Sequence, residues 1–274
     1  MDGHTAGVPQ GPGGQNPAYR PAHRHHDLAV SAKPPPVTPS LRTMKVNGNE
    51  IAAGADLAGA DLTDSDLRNV DLTGAWLGGA VLSGSDLSGA KLVGADLRHA
   101  ICRQAVFIDA DLHHSNLWHV DLREAQMRGA LLSRVWLGSA RLTGADLRGA
   151  DLSGAWLTAA DLTGARLGAA TLAGASLTRT CMREADLTGA FASACDLRGA
   201  VLNGAVLRAA NLTGSVLKGA TLISADLSLT DLVDADISEA QLEGVDLTGA
   251  RHDGSTIWPD GFTPPPAGGV SDHD

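Results

Sequence analysis

Asp109 to Glu124, "DADLHHSNLWHVDLRE", gathers His113, His114, His119, Trp118 and four carboxylates into sixteen residues. Imidazole and carboxylate groups are the usual ligands of a catalytic or structural metal, and zinc requires three or four of them converging on one point. A second histidine group, "HRHH", covers His23 to His26. Cys102, Cys181 and Cys195 are scattered, with no CxxC spacing and no even-numbered framework for disulfides. Asp also precedes a Leu at many places, and paired carboxylates of divergent pKa could serve acid–base catalysis. No P-loop, HExxH, nucleophile elbow or GxGxxG accompanies them in a strand-to-helix context. Whether any of these groups meet depends on the elements that carry them.

The chain has 274 residues, 3% aromatics and a net charge of −10. Length permits a sizeable core, but one not built on Phe, Tyr and Trp. The negative charge disfavours direct nucleic-acid binding through phosphates. No apolar stretch opens the sequence and no 18-residue apolar run follows, so neither a signal peptide nor a membrane span is expected. With cysteines reduced, a cytoplasmic setting is expected.

Residues 1–43 hold eight of the twelve prolines, including "KPPPVTPS", and read as a disordered Pro/Gly/His-rich tail. The other four prolines lie at or after Pro259, so 259–274 reads as a closing segment and flexible tail. Between them, Ala55 to Gly249 is 39 consecutive pentapeptides without insertion, as in "ADLAG ADLTD SDLRN VDLTG". The third position is Leu in 33 of them, which marks burial; Cys102, Phe107, Met127, Met182, Ala192 and Ile237 are the exceptions. The first position is always small or β-branched, and the fifth is Gly in 19 repeats, which suits a turn. A period of five fits neither a 3.6-residue helix nor an uninterrupted strand. It fits a short extended piece and a turn, repeated, each unit stacking on its neighbours to bury an inward side.

These repeats resemble those of the pentapeptide-repeat family, with its A(D/N)LXX signature. The resemblance implies an all-β fold, a right-handed quadrilateral β-helix of four pentapeptides per coil, about ten coils high, with residues 44–54 covering the first coil and "STIWPDGF" closing the last. It implies a non-catalytic protein without cofactor. Residues ten apart then face each other across the square, so Met182 opposes Ala192, and oversized Phe107 adjoins undersized Cys102, as close packing demands. Cys102 and Cys195 become core residues.

The resemblance also implies, as one alternative, a modulator of DNA gyrase or topoisomerase IV that mimics duplex DNA and protects against topoisomerase poisons. Its carboxylates would be the acidic ends: Asp56, Asp61, Asp66 and Asp71 in residues 50–75, and Asp226, Asp231, Asp236 and Asp246 in 226–253. The 150 residues between are nearly neutral, with twelve acids and fourteen bases, and five DLR triplets set each Asp beside its own Arg. Family members of that kind dimerise through a C-terminal helix, which "TPPPAGGVSDHD" cannot form.

The tryptophans favour a different role. In a 20-residue coil, Trp76, Trp118, Trp136, Trp156 and Trp258 all fall on one face, the last beside an inward Ile257. Exposed Trp supplies large contact area at small entropic cost. We therefore expect a protein-binding scaffold whose contact face is Trp76, Trp118, Trp136 and Trp156, edged by His99 and His119, with self-association among the outcomes. His113, His114 and His119 occupy different corners or faces, so no metal site is expected.

Overall fold

Ala145 to Gly149 shows how one pentapeptide satisfies its backbone. The Ala145 N–H donates to the Leu142 carbonyl at 3.0 Å, closing a turn, and Asp146 N–H reaches back one coil to Ala125 at 2.9 Å. Leu147 and Gly149 reach forward to Arg166 and Gly168 at 2.7 and 3.0 Å. The remaining donor, Arg148 N–H, is taken by the Asp146 carboxylate at 3.3 Å. That last bond explains the repeated Asp or Asn. It accepts the one N–H that neither turn nor ladder uses, as in an Asx turn. Thr63, Ser88, Trp118 and Thr213 use Asp61, Asp86, Asn116 and Asn211 in the same way.

The computed structural model describes residues 44–266. The expectations for the tail 1–43, His23 to His26 included, and for 267–274 lie outside the described residues. Parallel bridges join each second-position residue to the one twenty later, from Asp56↔Trp76 to Asp231↔Arg251. Each coil therefore has four sides and stacks on the next at the β-ladder spacing of about 4.8 Å. No helix among the described residues is long and apolar enough to cross a membrane.

First and third positions point inward and form one continuous core of Leu and Ala. Ser and Thr at first positions remain satisfied: Ser115, Thr180 and Ser215 donate to the preceding repeat's Leu carbonyl at 2.6–2.7 Å. Cys102 and Phe107 are fully buried, as is Met182. Burial pushes the Cys195 thiol up to about 12, so it is inert as a nucleophile. Leu187 and Leu197, the inward residues flanking Ala192, each keep 2% of their surface where Leu177 and Leu207 keep none. The isopropyl group that Ala192 lacks relative to Leu leaves these two neighbours slightly uncovered, with Met182 in place. Ala192→Leu is expected to raise stability by about 1 kcal/mol, or about 2–4 °C in Tm for a domain of this size; a lower Tm would show the space is already full.

Two short strands precede the first coil. β1 (Met44–Val46) and β2 (Asn49–Ile51) form an antiparallel hairpin. Its two-residue turn, Asn47-Gly48, has positive φ at both positions, which suits a type I′ turn. Val46 and Ile51 pack on the core, and Asn47 Nδ2 donates to the Asp61 carbonyl at 3.2 Å. At the other end one extra residue enters the ladder, because Ile257 pairs with Asp236, twenty-one positions earlier. This corrects the expected placing of Trp258. Ile257 is the outward residue, 55% exposed, and Trp258 packs against the core. There it stacks on Phe262 at 5.3 Å and meets His252 edge-on at 5.2 Å. Trp258 belongs to the closing of the core and leaves the Trp face.

Candidate functional site

The face in question carries, coil by coil, second-position residues Trp76, Asp96, Asn116, Trp136, Trp156 and Ser176. Its fourth positions, two residues later, are Gly78, Arg98, Trp118, Gly138, Thr158 and Thr178. Trp136 and Trp156 are bridge partners in consecutive coils, so their side chains must leave the ladder side by side. Their rings lie 4.8 Å apart at 36°, with 46% and 41% of each residue exposed. Trp118 leaves the opposite side of its inward Leu117 and is 39% exposed. Its ring lies over Gly138 in the next coil. A Cβ there would come within 2.8 Å of the indole. Gly138 was not among the expected site residues. The signal was present, since a glycine twenty positions after a tryptophan leaves room for a large ring in the next coil.

Trp76 is separated from this group by the coils of Asp96 and Asn116 and is half-buried. The structure thus brings together Trp118, Trp136 and Trp156 and leaves Trp76 as an outlier on the same face. The other exposed large apolar residues of the coils, Ile101, Leu131, Phe191 and Leu229, lie on the other three sides or their corners.

His99 and His119 occupy successive turns at the edge of this face. Their rings stack at 5.0 Å and 13°, and Trp118 meets His119 edge-on at 5.6 Å. Burial, followed by the adjacent His99, lowers the pKa of His119, which favours its neutral form. With His119 neutral, no formal charge appears in 115–119, 135–139 or 155–159. Both histidines are in the left-handed region, at φ 58° and 60°. So are Gln104, Asp109, His114 and Glu124, which makes six successive turns without glycine. Each such residue costs about 1 kcal/mol relative to glycine, and non-glycine residues take the same conformation at turns along the stack from Asp64 to Glu239.

The histidines between Asp109 and Glu124 do not converge. His113 Nδ1 donates to the Asp111 carboxylate at 2.6 Å on another side, and His114 turns the following corner. Beside His114, Arg134, Asp151 and Ser153 line a shallow depression of about 560 Å³. Among the described residues no three His, Cys, Asp or Glu groups are placed to hold a metal ion.

The acidic ends are dispersed around the coil. Asp56, Asp61, Asp66 and Asp71 stand one on each side, and in the next coil their bridge partners are Trp76, Val81, Asp86 and Lys91. Asp226 and Asp246 are bridge partners, while Asp231 and Asp236 lie on other sides. Asp231 accepts from Arg251 Nη1 at 2.8 Å. The DLR triplets form local pairs: Arg68 holds Asp66 at 2.6 Å and Arg98 holds Asp96 at 2.6 Å. Arg123, Arg148 and Arg198 hold Asp121, Asp146 and Asp196. The Arg68 hydrogen bond lowers Asp66 to about 2. Asp121 is the most heavily engaged, accepting from Arg103 and Arg123 at 2.9 and 2.8 Å, with Arg141 at 3.7 Å.

Comparison with known proteins agrees with this architecture. The family model for pentapeptide repeats matches in eight copies over 53–249. No curated protein matches the chain. Among solved structures it is similar to HetL, a pentapeptide repeat protein involved in heterocyst differentiation regulation in the cyanobacterium Nostoc sp. strain PCC 7120. Identity is 32%, covering 74% of this chain and 90% of HetL, with a TM-score of 0.58. QnrB1, a plasmid-mediated fluoroquinolone resistance protein, matches at 22% identity over 64% of this chain and 90% of its own, with a TM-score of 0.35. A pentapeptide repeat protein of the Arabidopsis thaliana thylakoid lumen matches at 32% identity over 44% and 71% of the two chains, with a TM-score of 0.30. With its ladder repeating every twenty residues and its repeats matched from 53 to 249, the chain belongs to the pentapeptide-repeat family and forms its right-handed β-helix.

Proposed function

We propose that this protein is a non-catalytic scaffold that binds a protein partner through the side bearing Trp118, Trp136 and Trp156. The observation that carries the reading is the coincidence of three exposed indoles with three successive coils whose segments on this side, 115–119, 135–139 and 155–159, carry no formal charge. Interface centres are enriched in Trp and depleted in charge, whereas the remaining surface of this chain is studded with Asp–Arg pairs. The repeat tolerates charge at these positions, as Asp96 with Arg98 and Asp196 with Arg198 demonstrate on the same side. HetL's regulatory involvement is consistent with a binding role in this fold. A DNA-mimicking action on topoisomerases calls for a continuous anionic column, and here Asp56, Asp61 and Asp71 each give way to Trp, Val and Lys one coil on.

The test is partner capture by the full chain and by a Trp136→Ser/Trp156→Ser double variant. Both residues are outward, so far-UV circular dichroism and Tm are expected to stay close to wild type. Removing two interface indoles is expected to weaken capture a hundredfold or more, in line with about 2 kcal/mol for each hot-spot Trp. Equal capture by the two proteins would reject the face.

A further inference from the structure

The arrangement of residues on the Trp side is self-complementary, and we propose that the partner it fits is a second copy of this chain, in parallel register about a two-fold axis running along the coil stack. This rests on the reading of that side as a contact surface. In such a pair, the two copies lie face to face with equal coils at equal height. The two-fold then exchanges the columns on either side of the inward Leu, so each second-position residue faces the partner's fourth-position residue of the same coil.

Coil by coil, the pairs match. Trp76 meets Gly78 and Trp136 meets Gly138, each from "WLG". Trp156 meets Thr158, and Trp118 meets Asn116. Trp76 and Trp156 thus oppose a small or short residue. At Gly78 a Cβ would meet only the Arg98 carbonyl oxygen, at an ordinary contact of 3.8 Å, so the position leaves room for a ring from the partner. At Gly138 the ring already lying there is Trp118, so an incoming Trp136 would stack on an indole. Charge completes the match. Asp96 meets Arg98 below the Trp118 coil, and Asp196 meets Arg198 two coils beyond Trp156. Arg98 and Arg198 already bond the Asp of their own coil, so pairing joins two ion pairs into a four-charge ring with alternating sign. The antiparallel alternative, centred between Trp136 and Trp156, does the reverse. It opposes Asp96 to Asp196 and Arg98 to Arg198. Charge pairs of this kind select register more than they add affinity.

The matched coils run from 75–79 to 195–199. Seven coils at about 4.8 Å, on a side about 15 Å wide, cover about 500 Å² per copy, or about 1,000 Å² in total. That is the lower limit for a specific interface, so the dimer should be reversible and of micromolar strength.

The experiment uses the full chain. Sedimentation velocity from about 1 to 100 µM should show a monomer–dimer equilibrium that Trp136→Ser/Trp156→Ser abolishes. Arg98→Asp should weaken the dimer about tenfold or more, because two acids then face two acids, and Asp96→Arg/Arg98→Asp should restore it. Register is read by a spin label at Ser238→Cys in a Cys181→Ser background, Cys102 and Cys195 being buried. A label-to-label distance of about 20 Å supports the parallel pair, and about 40 Å would show the antiparallel one and overturn it. A wild type that stays monomeric at the highest concentration overturns self-pairing and leaves the hetero-partner reading to the capture comparison. A dimer that survives the double Trp variant also overturns it, by placing the contact elsewhere.

Discussion

Leu147→Asp is expected to destroy the cooperative fold, lowering stability by at least about 5 kcal/mol, on the order of the whole stability of a typical domain. Leu147 is fully buried near the middle of the stack. Its coil neighbours at the same position, Met127 and Leu167, are fully buried and apolar, so a carboxylate there has no side-chain partner. A β-helix has no second core to fall back on. Each coil touches only the coils before and after it, so a failed coil also exposes the apolar ends of both halves. Urea titration followed by circular dichroism should show a lost or early, broadened transition. Two controls give the effect its meaning. Leu147→Ala should cost about 2–5 kcal/mol through a cavity, and Leu147→Met less than about 1.5 kcal/mol, since Met127 and Met182 already occupy such positions. A Leu147→Asp protein with a wild-type midpoint would mean that this column is not the core.

The second large effect is expected at Asp121, whose side chain is only 10% exposed beneath three arginines. Asp121→Ala removes the acceptor for Arg103 and Arg123 and for the Arg123 backbone N–H, and leaves three cations close together. The arginines are themselves 29–54% exposed, which screens part of the loss; about 2 kcal/mol remains a reasonable magnitude. Asp121→Asn separates the two roles. An amide can still accept the backbone N–H, as Asn116 does for Trp118 at 3.1 Å, but it carries no charge. About half the loss should therefore return. The Arg123 hydrogen bond, helped by Arg103, holds Asp121 well below the ordinary carboxylate range. With the folded-state pKa below the unfolded one, its contribution is complete above about pH 4 and drains away as the pH falls toward the folded value. The stability gap between wild type and Asp121→Asn should accordingly be full at pH 7 and smaller at pH 3. A gap that widens on acidification would contradict the assignment.

Much of the architecture was legible in the residues themselves. The pentapeptide period makes Leu97, Leu117 and Leu137 equivalent, and burial of an equivalent position requires stacking. The side on which each Trp stands follows from counting by twenty, and the pairing of Asp96 with Arg98 follows from their flanking one inward Leu. Counting failed at Trp258, because one inserted residue near the end shifts a side chain from outside to inside. Periodicity carries no warning of that.

What the sequence determined by itself was the repeat, the inward column and the different corners and sides on which the histidines of "DADLHHSNLWHVDLRE" stand. Tertiary structure decided how those residues meet. The Asp of each repeat reads as surface charge, and only the backbone geometry shows it holding the one N–H left over by the ladder. Trp118 and Gly138 are twenty residues apart, and only coil-to-coil contact turns them into one feature. The physical reason is the same in both cases. Local pattern dictates which way a side chain points, while the groups it touches come from a neighbouring coil, whose distance along the chain no local rule encodes.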